Sequence, residues 1–409
     1  MNYKKLFEES FSNVVPPIDS STIKRNVLER TEKMETKKEN KKGIRKPVTA
    51  LAAAVATIAI GVSGAAAIGL ISFNDIFGGE IKTEIEDSYV LMGRAENVKA
   101  YSSDDDYSIA LLGVTGGYDC AIMSIEISRK DGKPITDIFT EESDDFDIVG
   151  LISTTVSGDS SDTKRRQSNN EFINKKGNIL VNVELSADYD LLEESKSLVG
   201  ETITVSGDCF YSGNEFYDYF NENKLTYDYN GAAVQIIYKD GTPADLSSIE
   251  SLPLNWGISF DYYPSEKSSV KLSLKEEDKN SLVTFRKKQM NYIDPNYPEI
   301  IEYSLEVMDI EIGSTNGFID IIEYKDSKQK FPAYCFPDNE IYLITKSGDK
   351  VGIHSNGGVA YANAEHHVSR EKLDYCRKSP EGESTRLAID VSEIAAISIN
   401  GEEFELVEK

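Results

Sequence analysis

The chain has 409 residues, with 44 Lys/Arg against 70 Asp/Glu for a formal net charge of −26, and 22 tyrosines beside one tryptophan. The charge is uneven: residues 1–73 carry 12 basic and 7 acidic side chains, leaving 32 and 63 for the rest. So negative a remainder repels phosphate backbones and anionic surfaces, which argues against nucleic acid as a partner, while its wealth of Tyr, Thr, Ser, Val and Ile favours strands.

Residues 1–46 predict a basic arm with two short amphipathic helices. Tyr3, Leu6, Phe7, Phe11 and Val14 follow helical spacing until Pro16-Pro17 stops the pattern. A second helix begins after Asp19 or Ser20, with Ile23, Val27 and Met34 on one side. Forty-six residues bury little core of their own, so Phe7, Phe11, Ile23 and Val27 form the candidate surface for a partner. A disordered basic tether is the competing reading of the arm.

No charged residue lies between Lys46 and Asp75, and Val48–Phe73 is 26 residues long, enough to cross a bilayer. Residues 47–73 are therefore expected to be a transmembrane helix, with Pro47 tolerated at its first position. Lys41, Lys42, Arg45 and Lys46 precede it, and by the positive-inside rule they keep the N-terminus cytoplasmic and the C-terminus outside. A cleaved signal peptide competes, since Val48–Ile60 has the length of a signal core and Ala65-Ala66-Ala67 offers small residues for cleavage. A buried core helix is a third reading. Small residues recur from Thr49 through Gly61 to Gly69, but in so Ala-rich a run they do not establish helix pairing.

Beyond the span the period changes from 3.6 to 2. Val181, Val183 and Leu185 alternate with Asn182, Glu184 and Ser186, and Leu254, Trp256, Ile258, Phe260 and Tyr262 with polar neighbours. These predict strands with one face in water. Ten similar runs follow, and Asp131-Gly132, Asn230-Gly231, Asp240-Gly241 and Asn400-Gly401 supply hairpin chemistry between strands. Many short strands so spaced predict β-sandwich architecture. KDGKP at 130–134 recurs as KDGTP at 239–243, one turn used twice. The polar stretch 157–170 reads as a long surface loop, and ADYDLLEESKSL and NEFYDYF are the helical candidates. A domain boundary is placed in YPSEKSS at 263–269.

Four cysteines, Cys120, Cys209, Cys335 and Cys376, allow three full pairings; Cys120 with Cys209 or Cys335 with Cys376 would stay within a domain. Cys209, sharing a strand face with Ile203 and Val205, reads equally well as a small apolar core residue. The acidic runs Asp104–Asp106 and Glu141–Asp147 lack the pattern of a calcium loop, and no CxxC spacing points to zinc. Ser268-x-x-Lys271, Ser314-x-Asn316 and Lys346-Ser347-Gly348 repeat the order of penicillin-binding serine enzymes. Val270, Leu272 and Leu274 alternate as a strand, however, where that chemistry needs a buried helix. No other catalytic or cofactor motif is present, so no enzyme activity and no cofactor is expected. The segment 209–230 sets Tyr211, Tyr217, Tyr219, Tyr227 and Tyr229 among Asn, Asp and Glu, a candidate patch for a glycan or peptide, although half of these rings could be core.

The order of a basic arm ending NVLERTEKM, an Ala-rich span, the exit GLISFNDIFG, then SDDDYSIALLGVTG and ISRKDGKPITD resembles a group of single-pass membrane proteins of Gram-positive bacteria. Their outer part is similar to domains of unknown function attached to anti-sigma-factor-like proteins, and LAIDVSEIAAISINGEEFEL resembles the last strands of their second, immunoglobulin-like domain. The HxxxCxxC motif of zinc-type anti-sigma domains is absent. The resemblance implies two immunoglobulin-like β-sandwich domains outside the membrane, at 74–265 and 266–409. It also implies envelope sensing or binding, with the arm reporting to a cytoplasmic protein such as a sigma factor; an adhesive surface protein is the alternative.

Overall fold

The computed structural model describes residues 73–77, 81–84, 88–139, 146–156, 165–187, 197–230, 233–289, 299–324, 341–362, 367–378 and 384–409. The arm and residues 47–72 of the expected span lie outside them. Among the described residues no helix is long and apolar enough to cross a membrane.

The protein is mainly β. Its first elements among the described residues are α1 (Phe73–Phe77) and β1 (Lys82–Thr83), then a 3-10 turn at Ser88–Leu91. β2 (Arg94–Ser102), β3 (Tyr107–Gly116), β4 (Cys120–Arg129), β5 (Ile148–Val156), β6 (Arg165–Ile173), β7 (Ile179–Ala187) and β8 (Thr202–Ser212) follow. After α2 (Gly213–Glu222) come the hairpin β9 (Thr226–Asn230) and β10 (Ala233–Ile237), and the long β11 (Ser251–Tyr263). Two four-stranded sheets, ordered β2-β11-β8-β5 and β3-β4-β7-β6, face each other. Between them lie Met123, Ile125, Val181, Val183, Ile203, Val205, Phe210 and Trp256, all fully buried. Trp256, Ile258, Phe260 and Tyr262 point inward as their alternation predicts, and Trp256 stacks on Phe210 with ring centroids 6.1 Å apart.

The second half departs from the expected sandwich. It comprises β12 (Leu272–Leu274), β13 (Ser281–Gln289), β14 (Glu299–Ile312), β15 (Gly317–Tyr324), β16 (Ile341–Thr345), β17 (Lys350–Ala362), β18 (His367–Lys378), β19 (Ser384–Ala388), β20 (Ile394–Ile399) and β21 (Glu402–Glu408). Pairing runs β12-β14-β15-β18-β17-β16-β20-β21 and returns to β12, a closed ring of eight antiparallel strands. Closure removes the free edges that two open sheets would leave, and Ile312, Ile319, Leu343, Leu373, Tyr375 and Ile397 fill the interior. β13 pairs with β14 beside the ring, and β19 extends from β18.

Several local expectations also need correcting. The stretch 157–170 is no continuous loop, because β6 begins at Arg165 and pairs with β7. Asp131-Gly132 is not a hairpin: the chain leaves β4 there and crosses to β5 in the opposite sheet. It is nevertheless the same turn as Asp240-Gly241, since Asp131 Oδ1 accepts from Lys133 N and Asp240 Oδ1 from Thr242 N, both at 3.0 Å. Asn400-Gly401, with φ of 50° and 86°, does join β20 to β21 in the predicted way. Cys209 does not share a face with Ile203 and Val205. A register shift in β8 carries Phe210 into their core and puts Cys209, also buried, on the other side. Cys120, Cys209 and Cys376 are all free thiols, so neither within-domain pairing forms; Cys335 lies outside the described residues.

Candidate functional site

The strand predicted to have a wet face has none. Every residue of β7 is buried: Val181, Val183 and Leu185 face the sandwich core, while Asn182, Glu184 and Ser186 face the barrel. At this seam Glu184, 6% exposed, receives Arg386 of β19 and Lys372 of β18. Arg386 Nη1 donates to Oε2 at 2.5 Å and Nη2 to Oε1 at 3.3 Å, and Nη2 also reaches the Thr315 carbonyl at 3.3 Å. Asp374 Oδ1 stands 3.3 Å from Arg386 and 3.9 Å from Lys372, completing a neutral group of two acids and two bases. Burial alone would raise the Glu184 carboxyl, but Arg386 and Lys372 outweigh it and hold the group well below its ordinary range. The Cys120 thiol, donating to Glu184 Oε1 at 3.4 Å, is pushed up by burial and by that carboxylate, so it is no ready nucleophile.

α1 locks the same seam. Phe73, Ile76, Phe77 and Ile81 pack with Leu91, Met92, Cys120 and Ile122 of the sandwich side and with Ala388 at the end of β19. Asn74 holds Thr83 by two hydrogen bonds, Thr83 N to Oδ1 at 2.8 Å and Nδ2 to the Thr83 carbonyl at 3.1 Å. β1 then pairs in parallel with β19, and Thr83 Oγ1 donates to the Ala388 carbonyl at 2.9 Å. Phe73, the last residue of the expected span, has its side chain fully buried in this cluster.

Beside the seam lies a cleft of about 610 Å³, walled by Tyr118 from the β3–β4 turn and by the outer faces of β14, β15 and β18. Lys271 sits at its edge, with Nζ 2.5 Å from Glu311 Oε1, 3.5 Å from Asp119 Oδ2 and 4.9 Å from the centre of the Tyr118 ring. Burial would lower the Lys271 pKa, but Asp119 and Glu311 raise it above the ordinary lysine value, so the amine stays charged. That removes the base the SxxK pattern would need. Ser268 is equally committed, its Oγ donating to the Leu91 carbonyl at 3.2 Å. Burial pushes the Asp320 carboxyl up to about 6, Arg370 opposing the rise and Asp309 and Glu311 adding to it.

The aromatic segment forms a small separate core. Val149, Phe216, Leu225, Ile236 and Ile249 are buried there, with Tyr211, Tyr219 and Phe220 packed around them. Tyr211 is half-buried, and Tyr219 donates to the Asp245 carbonyl at 2.9 Å. Tyr217, 48% exposed, and Tyr227, 37% exposed, present their rings to solvent. Tyr229 lies on β9, with its side chain outside the described residues, as are Phe7, Phe11, Ile23, Val27, Lys41, Lys42, Arg45 and Lys46 altogether. The structure thus splits the four tyrosines whose side chains it describes between support, Tyr211 and Tyr219, and surface, Tyr217 and Tyr227. The ion groups around Glu184 and Asp320 carried no spacing signal, because a charged residue in an alternating strand reads the same whether water or another domain covers it.

No family model matches the chain, and no curated protein matches it. Among solved structures, the crystal structure of the conserved domain protein from Bacillus anthracis is similar with a TM-score of 0.34 and 8% sequence identity, over 78% of this chain and 89% of that one.

Proposed function

We propose that this chain is a single-pass membrane protein whose outer β domains bind or sense a ligand at the cell envelope, without catalysis. Residues 1–46, through Phe7, Phe11, Ile23 and Val27, report to a cytoplasmic protein such as a sigma factor. One observation carries the reading: the uncharged run from Val48 meets the folded body at Phe73, which is buried between sandwich and barrel. A bilayer helix ending there joins the seam with no slack, so the anchor and the relation of the two domains are mechanically one.

The strand order supports a finer reading of the first domain. β3-β4-β7-β6 and β5-β8-β11 follow the A-B-E-D and C-F-G order of an immunoglobulin constant-type sandwich, with β2 added beside the last strand. α2 and the β9–β10 hairpin then fill the F–G connection, a position that carries a binding loop in variable domains. Tyr217 and Tyr227 are exposed on this insertion, which favours contact with an envelope glycan or peptide.

Protease added to intact protoplasts tests the topology. The expected result is digestion of the outer domains and a protected membrane fragment containing the arm and the apolar run. Native protein found wholly in the medium and beginning just after Ala67 would overturn the anchored reading. Residues 1–46 used as bait should retain one defined cytoplasmic protein and lose it when Phe7→Asp and Phe11→Asp are combined.

A further inference from the structure

The cleft beside the seam combines ligand-sized volume, a wall that mixes charged side chains with the apolar Tyr118, Val270, Met308, Ile310 and Phe318, and a carboxyl whose charge is poorly met. Asp309 and Asp320 are directly opposite each other in the β14–β15 pairing, and Glu311 is two residues along the same face. Like charges so placed repel, with Cβ atoms of opposed residues roughly 5 Å apart. Their partners are unequal. Lys279 Nζ is 3.3 Å from Asp309, and Glu311 has both Lys271 at 2.5 Å and Lys409 at 3.4 Å. Asp320 has Arg370 Nε at 3.6 Å, too far for a hydrogen bond, and its buried Oδ1 accepts none. Four carboxylates and three cations line the cleft in all, within a chain of net charge −26.

We propose that this cleft binds a ligand through an ammonium or guanidinium group on an apolar stem, with Asp320 as the anchoring carboxylate and Tyr118 and Met308 against the stem. A cation at Asp320 would accept none of the existing partners' roles. It would supply the hydrogen bond that Arg370 is too distant to give and offset the Asp309–Asp320 repulsion. Tyr118 is 37% exposed, so one part of its ring is open to a stem while Lys271 lies against another. A metal ion fits less well, because among the described residues no three His, Cys, Asp or Glu side chains converge as a ligand set. Domain junctions are common places for such pockets, and this one takes its walls from both domains. The proposal rests on the envelope-binding reading only for where the ligand is met; binding by the purified chain can fail while the topology result stands.

The test is calorimetric titration of the full chain in detergent with Nα-acetyl-arginine amide, with its uncharged isostere Nα-acetyl-citrulline amide, and with a capped Gly-Arg-Gly peptide. The arginine probe should bind at least roughly tenfold more tightly than citrulline, because only a charged group satisfies the carboxylate. Tighter binding of the peptide would assign the ligand to a basic chain and equal binding to a free amine or guanidine; both support the site. Asp320→Asn should weaken the arginine probe by roughly tenfold or more, and Tyr118→Ala should weaken probe and peptide alike. Lowering the pH from about 7.5 to about 5 should also weaken binding by roughly tenfold as Asp320 takes up its proton; the charged groups that share the cleft with it are Asp309, Glu311, Glu408, Lys271, Arg370 and Lys409. This pH series decides the matter even if the Asp320 variant fails to fold. Equal binding of citrulline, affinity unchanged across the pH series, or no heat from any probe at about 10 mM would each overturn the proposal.

Discussion

Arg386 of β19 grips Glu184 of β7 with both terminal guanidinium nitrogens, at 2.5 and 3.3 Å, so one residue of the barrel side holds one residue of the sandwich across 202 positions of sequence. The pair is enclosed, with side chains 15% and 7% exposed. An interaction this buried is worth little relative to apolar packing, but breaking one side of it leaves charge without water.

Glu184→Ala should therefore destabilise the protein by about 3–5 kcal/mol, since it strands Lys372 and Arg386 beside Asp374 alone. Trp256, the sole tryptophan, lies in the sandwich core and reports that domain selectively. In urea, tryptophan fluorescence and far-ultraviolet circular dichroism should change together for the parent chain and separate for the variant. The acid limb follows from the depressed Glu184 pKa: its contribution is present above the unfolded value of 4.5 and is lost as pH falls below it. The variant should lack that limb.

Asp320 gives the opposite slope. Its folded carboxyl holds a proton up to about 6 where the unfolded one releases it at 3.8, so the native state binds more protons in that window and stability falls as pH rises through it. Asp320→Asn should remove this fall, gaining on the order of 2 kcal/mol relative to the parent at neutral pH. Urea midpoints of both proteins between about pH 4 and pH 7, taken as differences, isolate the effect.

Phe73→Ala should cost about 3–5 kcal/mol although the residue is the last of the apolar run. The side chain fills the cluster shared by β4, the segment around Leu91 and the end of β19, and its ring centroid is 4.9 Å from that of Phe77. Denaturation of the full chain, followed by Trp256 fluorescence, measures the loss. A change of less than about 1 kcal/mol would mean that Phe73 does not hold the seam together.

The amino-acid sequence by itself determined the features that depend on neighbours along the chain. Alternation at Trp256, Ile258, Phe260 and Tyr262 specifies a half-buried strand because successive side chains point to opposite faces, and Asn400-Gly401 specifies a tight turn because both residues accept positive φ. NEFYDYF was legible as a helix for the same local reason. Only the tertiary structure decided what covers each face. β18, written HVSREKLDYCRK, hides its period of two behind charges, because Lys372 and Asp374 face another domain while Leu373 and Tyr375 face the barrel interior. The closing of β12 against β21, and of β17 against β18, depends on register between distant segments, which no local pattern encodes. Glu184, Arg386 and Asp320 acquire their chemistry from burial, and burial is a property of how two domains dock: in water each would be an ordinary solvated charge.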